Sequence, residues 1–306
     1  MSLKKIRKDF LPLGNNKITA DEINAISEVV KSGWWTTGPK VNEFETLLSK
    51  YLTHDKDIHC LALNSCTSAL YLSLLALDIK PDDEVILPTW QFVTTSRIVK
   101  WLGAKLVLCD IDESTFNIDV NQIKNKLTKK TKAIIPVHIA GYPCQMDEIM
   151  HIADNNNLFV IEDAAHAIGT KYKGKKIGNI GDLTCFSFCA TKNLAMGEGG
   201  AVVSRNPELI EKMRKLSYFG IDKSAFKRYN KTGSWFYDIE QLGYKCNLDS
   251  IHASLGIVQL KKLDDMNNRR RDIAQRYANN LSKKLQFQKN SSEHFHTYHL
   301  FPIILP

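Results

Sequence analysis

No segment of this 306-residue chain is apolar for long enough to cross a bilayer, and no long apolar stretch follows its basic N-terminus as a signal peptide requires. These two absences argue against a membrane span and against export. There is no C-x-x-C pair either. The seven cysteines, at 60, 66, 109, 144, 185, 189 and 246, are odd in number and scattered, which speaks against a disulfide framework and for free thiols in a reducing cytoplasm. Internal repeats, low-complexity tracts, a helix-turn-helix and a zinc module are all missing. Nucleic-acid binding is therefore not expected, although Lys and Arg outnumber Asp and Glu by 41 to 33, a formal charge of +8. Lys4-Lys5, Arg7-Lys8 and Arg269-Arg270-Arg271 read as solvated faces. The modest basic excess suits a small anionic partner, such as a phosphate or a sugar nucleotide.

What is present is the composition of a soluble globular protein, 43% hydrophobic and 24% charged. The length implies one large domain and a smaller appended one. Apolar residues recur at helical spacing over 19–31 and 40–51, with Gly33-Trp34-Trp35-Thr36-Thr37-Gly38-Pro39 between them as a loop. Short apolar runs then alternate with helical patterns. Strands are expected at 58–63, 84–87, 105–109, 133–137, 159–161, 183–188 and 201–204, with helices at 67–77, 92–102 and 146–155. This order predicts an α/β fold whose mostly parallel sheet is covered by helices. Pro207 opens a further helix, residues 220–233 read as a long loop, two helices follow at 248–263 and 267–281, and 295–305 reads as strand. The expected division is a large domain over 1–245 and the start of a small α/β domain over 246–306. Because the chain stops in apolar strand-like sequence, that second domain is expected to be incomplete.

Three polar clusters fall at predicted strand ends, where open α/β sheets bind ligands. Asn64-Ser65-Cys66-Thr67-Ser68 sets hydroxyls at a helix start, which suits a phosphate as well as it suits an ordinary cap. Val160-Ile161-Glu162-Asp163-Ala164-Ala165-His166 follows a strand with an acid able to pair with a protonated pyridine nitrogen, and small residues that let a flat ring approach. The third runs through Ser187 and Thr191-Lys192-Asn193-Leu194 to Gly197-Glu198-Gly199-Gly200. A lysine in such partly apolar surroundings has a lowered pKa and can attack an aldehyde.

Together with Asp83-Glu84-Val85-Ile86-Leu87-Pro88, Gly243-Tyr244-Lys245-Cys246-Asn247-Leu248 and Arg269-Arg270, these motifs in this order make the sequence resemble the DegT/DnrJ/EryC1/StrS family of sugar aminotransferases along nearly its whole length. The resemblance implies a three-layer α/β/α large domain with a seven-stranded sheet, the PLP transferase fold type I. It also implies pyridoxal 5'-phosphate as cofactor, with pyridoxamine 5'-phosphate as its aminated form. Carried over by position, Lys192 would be the Schiff-base lysine, Asp163 the partner of the pyridine nitrogen, and His166 the hydrogen-bond partner of the ring hydroxyl. Thr67, Ser68 and Ser187 would hold the phosphate, and Phe92 would stack on the ring. Lys245 and Asn247 would reach the phosphate from a second subunit, so that a homodimer shares its active sites.

The implied reaction moves an amino group from an amino acid, L-glutamate by resemblance, to a keto group of a nucleotide-diphosphate sugar. Trp34 and Trp35 are candidates to border that substrate, with ordinary packing equally open. His138 resembles a family position near the active site. His294, His296 and His299 mimic a metal array, but on a strand only the first two would share a face, so strand packing is the expectation. Two alternatives stand. A dehydratase of the same family carries histidine in place of the lysine, so Lys192 favours transamination; the other is a non-catalytic regulator that binds nucleic acid.

Overall fold

Strands form where short apolar runs can be covered on both faces by helices, and the parity of their side chains then decides which cover each residue meets. The computed structural model describes residues 9–12, 14, 16, 18–53, 57–221, 236–282 and 284–305. In chain order the helices are α1 (Ala20–Ser32), α2 (Pro39–Leu52), α3 (Cys66–Ala76), α4 (Val93–Trp101), α5 (Val120–Lys126), α6 (Met146–Asn156), α7 (Pro207–Leu216) and α8 (Ser250–Asn280). The strands are β1 (His59–Leu63), β2 (Glu84–Pro88), β3 (Lys105–Cys109), β4 (Thr131–Ile134), β5 (Phe159–Asp163), β6 (Lys171–Tyr172), β7 (Lys175–Lys176), β8 (Leu183–Ser187), β9 (Gly200–Ser204), β10 (Gln286–Phe287) and β11 (Ile303–Ile304).

Seven strands make one sheet in the order β1-β9-β8-β5-β4-β2-β3. Only β9 runs against its neighbours. It follows β8 through residues 188–199 without a helix, so the chain can simply turn back, whereas the parallel strands are joined by crossovers. On one face Val160 and Phe186 pack with Phe44 and Leu48 of α2, Ile149 of α6 and Leu263 of α8. On the other, Ile161 and Cys185 pack with Leu70 of α3, Ile98 of α4 and Met213 of α7. This is the three-layer α/β/α fold with a mostly parallel seven-stranded sheet that the sequence predicts.

Helix ends follow local signals. The Glu22 side chain takes the Thr19 N–H at 2.9 Å before α1, and Gly33 closes that helix in the left-handed region at φ 71°. Asn206 caps α7, where Pro207 occupies the first turn. Two expectations need correction. The separate helices at 248–263 and 267–281 are one, α8, because the intervening Asp264-Asp265-Met266 contains no breaker and Tyr51 of α2 donates to Asp264 at 2.6 Å. The strand at 295–305 is mostly absent. Residues 297–300 instead hydrogen-bond over the 3-10 turn Ile139–Gly141, Phe295 makes an isolated bridge to Lys171, and Ile303–Ile304 pair with Gln286–Phe287.

No change of core accompanies the expected boundary at 245/246, since Leu248, Ala253, Ile257 and Leu260 belong to the same cluster as the sheet. Most of the loop expected at 220–233, and the basic cluster at Lys4–Lys8, lie outside the described residues. Among those described, no helix is long and apolar enough to cross a membrane.

Candidate active site

The carboxyl ends of β1, β5 and β8 converge on a cavity of about 320 Å³, lined by Ser65, Cys66, Thr67, Phe92, Thr95, Asp163, His166, Ser187, Lys192 and Glu198, among others. Convergence at these ends is a property of parallel strands, each of which delivers its following loop to the same side of the sheet. At the β1 end, Ser65 caps α3 by accepting the Ser68 N–H at 3.1 Å. Ser65 and Thr67 thereby sit at a helix N-terminus whose dipole favours an anion. Gly200 of β9 permits this closeness. A Cβ there would lie 2.3 Å from the Ser65 carbonyl carbon.

Strand β5 separates its two acids by parity. Asp163 shares the face of Ile161, and there its Oδ2 accepts the Thr95 hydroxyl at 2.7 Å while its Oδ1 accepts the Ala165 N–H at 3.2 Å. It is 4% exposed, and burial pushes its pKa up against the pull of these donors and of Lys192. A carboxylate in that condition gains from a cationic N–H placed opposite it. Glu162 shares the face of Val160 and takes no part in the cavity. Its Oε1 accepts from Gly181 N–H and the Thr184 hydroxyl, and its Oε2 meets His138 Nε2 at 2.9 Å. Because the Cys144 N–H is donated to His138 Nδ1 at 3.0 Å, the ring proton sits on Nε2, facing Glu162.

Beyond β8 the chain turns at once. Lys192 N–H bonds the Cys189 carbonyl at 2.9 Å, Phe188 N–H bonds Gly199 and Met196 N–H bonds Phe188, which tie the lysine turn to the start of β9. Lys192 lines the cavity. Burial lowers its pKa, opposed by Asp163 and Cys66, so the free amine is within reach at milder pH than for a surface lysine. His166 stands beside it with its pKa pushed down to about 3 by burial and then by the lysine charge. It is a neutral ring at working pH.

Of the residues singled out in the sequence, Thr67, Phe92, Asp163, His166, Ser187 and Lys192 line this one cavity. Phe92 is 72% exposed at the start of α4. The others lie elsewhere. The Ser68 hydroxyl is turned to Asn64 Oδ1 at 2.6 Å. His138 is fully buried on the Glu162 side of the sheet, behind the cavity wall. Trp34 and Trp35 donate their ring N–H groups to Thr37 and Val30 carbonyls, in the loop between α1 and α2. Lys245 donates to Asn247, and Asn247 donates to the Thr37 hydroxyl at 2.6 Å, a segment set along the end of β1. His294, His296 and His299 are not on a strand and have three different ring partners: His294 stacks on Tyr172, His296 on Tyr298 and His299 on His166.

Thr95, and Glu198 from within the glycine motif, also line the cavity without having been expected there, and His299, expected in strand packing, stacks on His166 instead. Thr95 lies one helical turn after Phe92, a spacing that could have flagged it. His299 arrives from the far end of the chain, and nothing in its local sequence points to His166.

The model of the DegT/DnrJ/EryC1/StrS aminotransferase family matches residues 16–306. The chain is 48% identical over 303 residues to the uncharacterized protein MJ1066 of Methanocaldococcus jannaschii, covering 98% of this chain and 78% of that protein. To the spore coat polysaccharide biosynthesis protein SpsC of Bacillus subtilis it is 47% identical over 271 residues, 89% of this chain and 69% of SpsC. Among solved structures, Spr1654 of Streptococcus pneumoniae, provisionally named a sugar aminotransferase, superposes with a TM-score of 0.89 in its PMP form and 0.88 in its PLP form. The identities are 34% and 33%, over 95% and 96% of this chain and 78% of that one in both forms.

Proposed function

The chain belongs to the DegT/DnrJ/EryC1/StrS aminotransferase family, and from that membership we propose that it uses pyridoxal phosphate to move an amino group from an amino acid, L-glutamate, to the keto group of a nucleotide-linked sugar. The observation that carries this reading is a single cavity holding a half-buried lysine of lowered pKa, a buried acid of raised pKa and hydroxyls at a helix N-terminus. That donor set fits the cofactor group by group. Asp163 answers a protonated ring nitrogen, Ser65, Thr67 and Ser187 answer a phosphate, His166 offers a ring N–H to a phenolic oxygen, and Phe92 offers an aromatic face.

When bound, the cofactor supplies an electron sink for the carbon that bears the amine. The protein's own part is proton movement. The Lys192 amine, held in a mostly buried pocket, takes the proton from the donor's α carbon and returns it in the reverse sense at the sugar carbon. The likeness to SpsC supports a sugar bound for a polysaccharide, and free thiols at all seven cysteines suit a cytoplasmic enzyme.

We assign Lys245 and Asn247 to the neighbouring copy's phosphate site. Exposed apolar side chains around that segment support a paired surface: Leu242 is 84% exposed, and Trp101, 60% exposed, meets Tyr71, whose ring and hydroxyl meet Tyr244.

The test is incubation of the purified protein with pyridoxal phosphate, L-glutamate and a panel of nucleotide-linked 3-keto and 4-keto hexoses. An amino sugar and 2-oxoglutarate are the expected products. In K192A the visible absorption of lysine-bound cofactor and the turnover should both vanish. Full turnover by that variant refutes the assignment.

A further inference from the structure

The geometry points to His299 as a positioning residue for this site: anchored on the turn that carries Lys192, its ring stacks on His166 and keeps His166 a neutral donor with its proton on Nε2. This rests on the reading of His166 as the partner of the cofactor's ring oxygen. The proton assignments follow from groups whose direction is not free. Asn193, next to Lys192, donates its Nδ2 to the Thr297 carbonyl at 3.1 Å and to Asn267 Oδ1 at 2.8 Å. Asn267 in turn donates to the Ile168 carbonyl at 3.1 Å. Two carbonyls therefore fix both amides. Asn193 is left to present Oδ1, a pure acceptor, to His299 Nδ1 at 3.0 Å, so Nδ1 of His299 carries the proton.

The same logic applies to His166. Its Nδ1 accepts the Ala140 N–H at 3.3 Å, which leaves the proton on Nε2. Ala140 holds both rings in register, because its carbonyl accepts the His299 N–H at 2.8 Å. The two imidazoles lie 4.3 Å apart at 29°, stacked.

His299 covers that face of His166, and a proton added to either ring would sit against its neighbour. Burial comes first among the causes that push His299 down to about 2, followed by the repulsion that His166, Lys192 and Arg270 exert when protonated. For His166 the facing charge is Lys192. A charged His166 would offer the ring oxygen a full cation in place of a neutral N–H, and would compete with Asp163 in setting where the cofactor's positive charge resides.

The test separates the stack from the Asn193 bond. In H299A, water reaches the exposed face of His166 and its protonation midpoint should rise by at least about one pH unit, a tenfold gain in proton affinity. In H299F an aromatic face is restored without the bond to Asn193, and the midpoint should return to within a few tenths of a unit of the wild-type value. The readout is histidine-labelled NMR of the cofactor-free protein, with H166N used to assign the signal and with near-UV circular dichroism to confirm folding of each variant. The absorption titration of the cofactor-loaded protein should follow the same order. An unchanged midpoint in H299A, or an H299F midpoint as high as that of H299A, overturns the proposal. If the wild-type chain binds no pyridoxal phosphate, that result counts against the proposed function alone, because the NMR measurement needs no cofactor.

Discussion

Two donors favour the ionised form of Asp163 against a burial that opposes it, and Thr95 is the stronger of the two by distance. Thr95→Val keeps the shape and removes the hydroxyl. A hydrogen bond to a buried charge contributes about 1.5–3 kcal/mol, so T95V should lose that much stability to urea near neutral pH. The carboxyl pKa, already raised, then rises further, and cofactor affinity should fall roughly tenfold for each 1.4 kcal/mol lost from the ionised form. Spectrophotometric titration with pyridoxal phosphate measures it. Unchanged affinity would remove Asp163 from the cofactor site. Lys192 has the opposite requirement, since it works as a free amine, and burial supplies the shift in that direction as well.

At the scale of elements, the docking of α1 on α8 turns on Glu22, which is 1% exposed. Burial works against its charge, but bonds from Lys262 at 2.8 Å and from Thr19 overcome it and hold its pKa down to about 2. Gln259 donates to Oε1, the oxygen that Lys262 holds, at 2.7 Å. A depressed folded-state pKa gives stability that is present in full above the unfolded value, near 4.5, and is lost as pH falls toward about 2. Urea unfolding of the wild type should therefore weaken between pH 5 and pH 2 more steeply than that of E22Q, whose side chain does not titrate. At neutral pH, E22A leaves Gln259 without its acceptor and Lys262 with the Thr19 hydroxyl but without the Glu22 carboxylate, and should cost about 3 kcal/mol. Equal slopes for wild type and E22Q would show that another group governs the acid limb. The same interface explains why α8 runs unbroken for 31 residues: its middle is tied to α2 through Tyr51 and to the lysine turn through Asn193.

For the whole molecule, the placement of Lys245 and Asn247 away from Lys192 within one chain leads to a subunit-mixing prediction. K192A and N247A should each have little activity alone. If the sites are shared, mixing them under conditions that exchange subunits should restore turnover, because some mixed dimers carry one site with both native residues. Sedimentation must show that each variant is a dimer. Absence of restoration with confirmed exchange would place Asn247 in its own chain's site or outside the site altogether.

Local pattern was enough for the sheet, because runs such as Val160-Ile161 and Leu183 to Ser187 can be buried on both faces only as covered strands, and strand-end polar residues then must gather on one side. Thr67, Asp163, His166, Ser187 and Lys192 were legible on those terms. Contacts between distant segments were not. Thr95 meets Asp163 across 68 residues and His299 meets Asn193 across 106, and no period in the chain encodes either pairing. Side-chain parity likewise became meaningful only once each face of β5 had its own cover, which put Asp163 in the cavity and sent Glu162 and His138 behind it. Periodicity specifies what a segment can bury, while the packing of layers specifies what it touches, and the site consists of both.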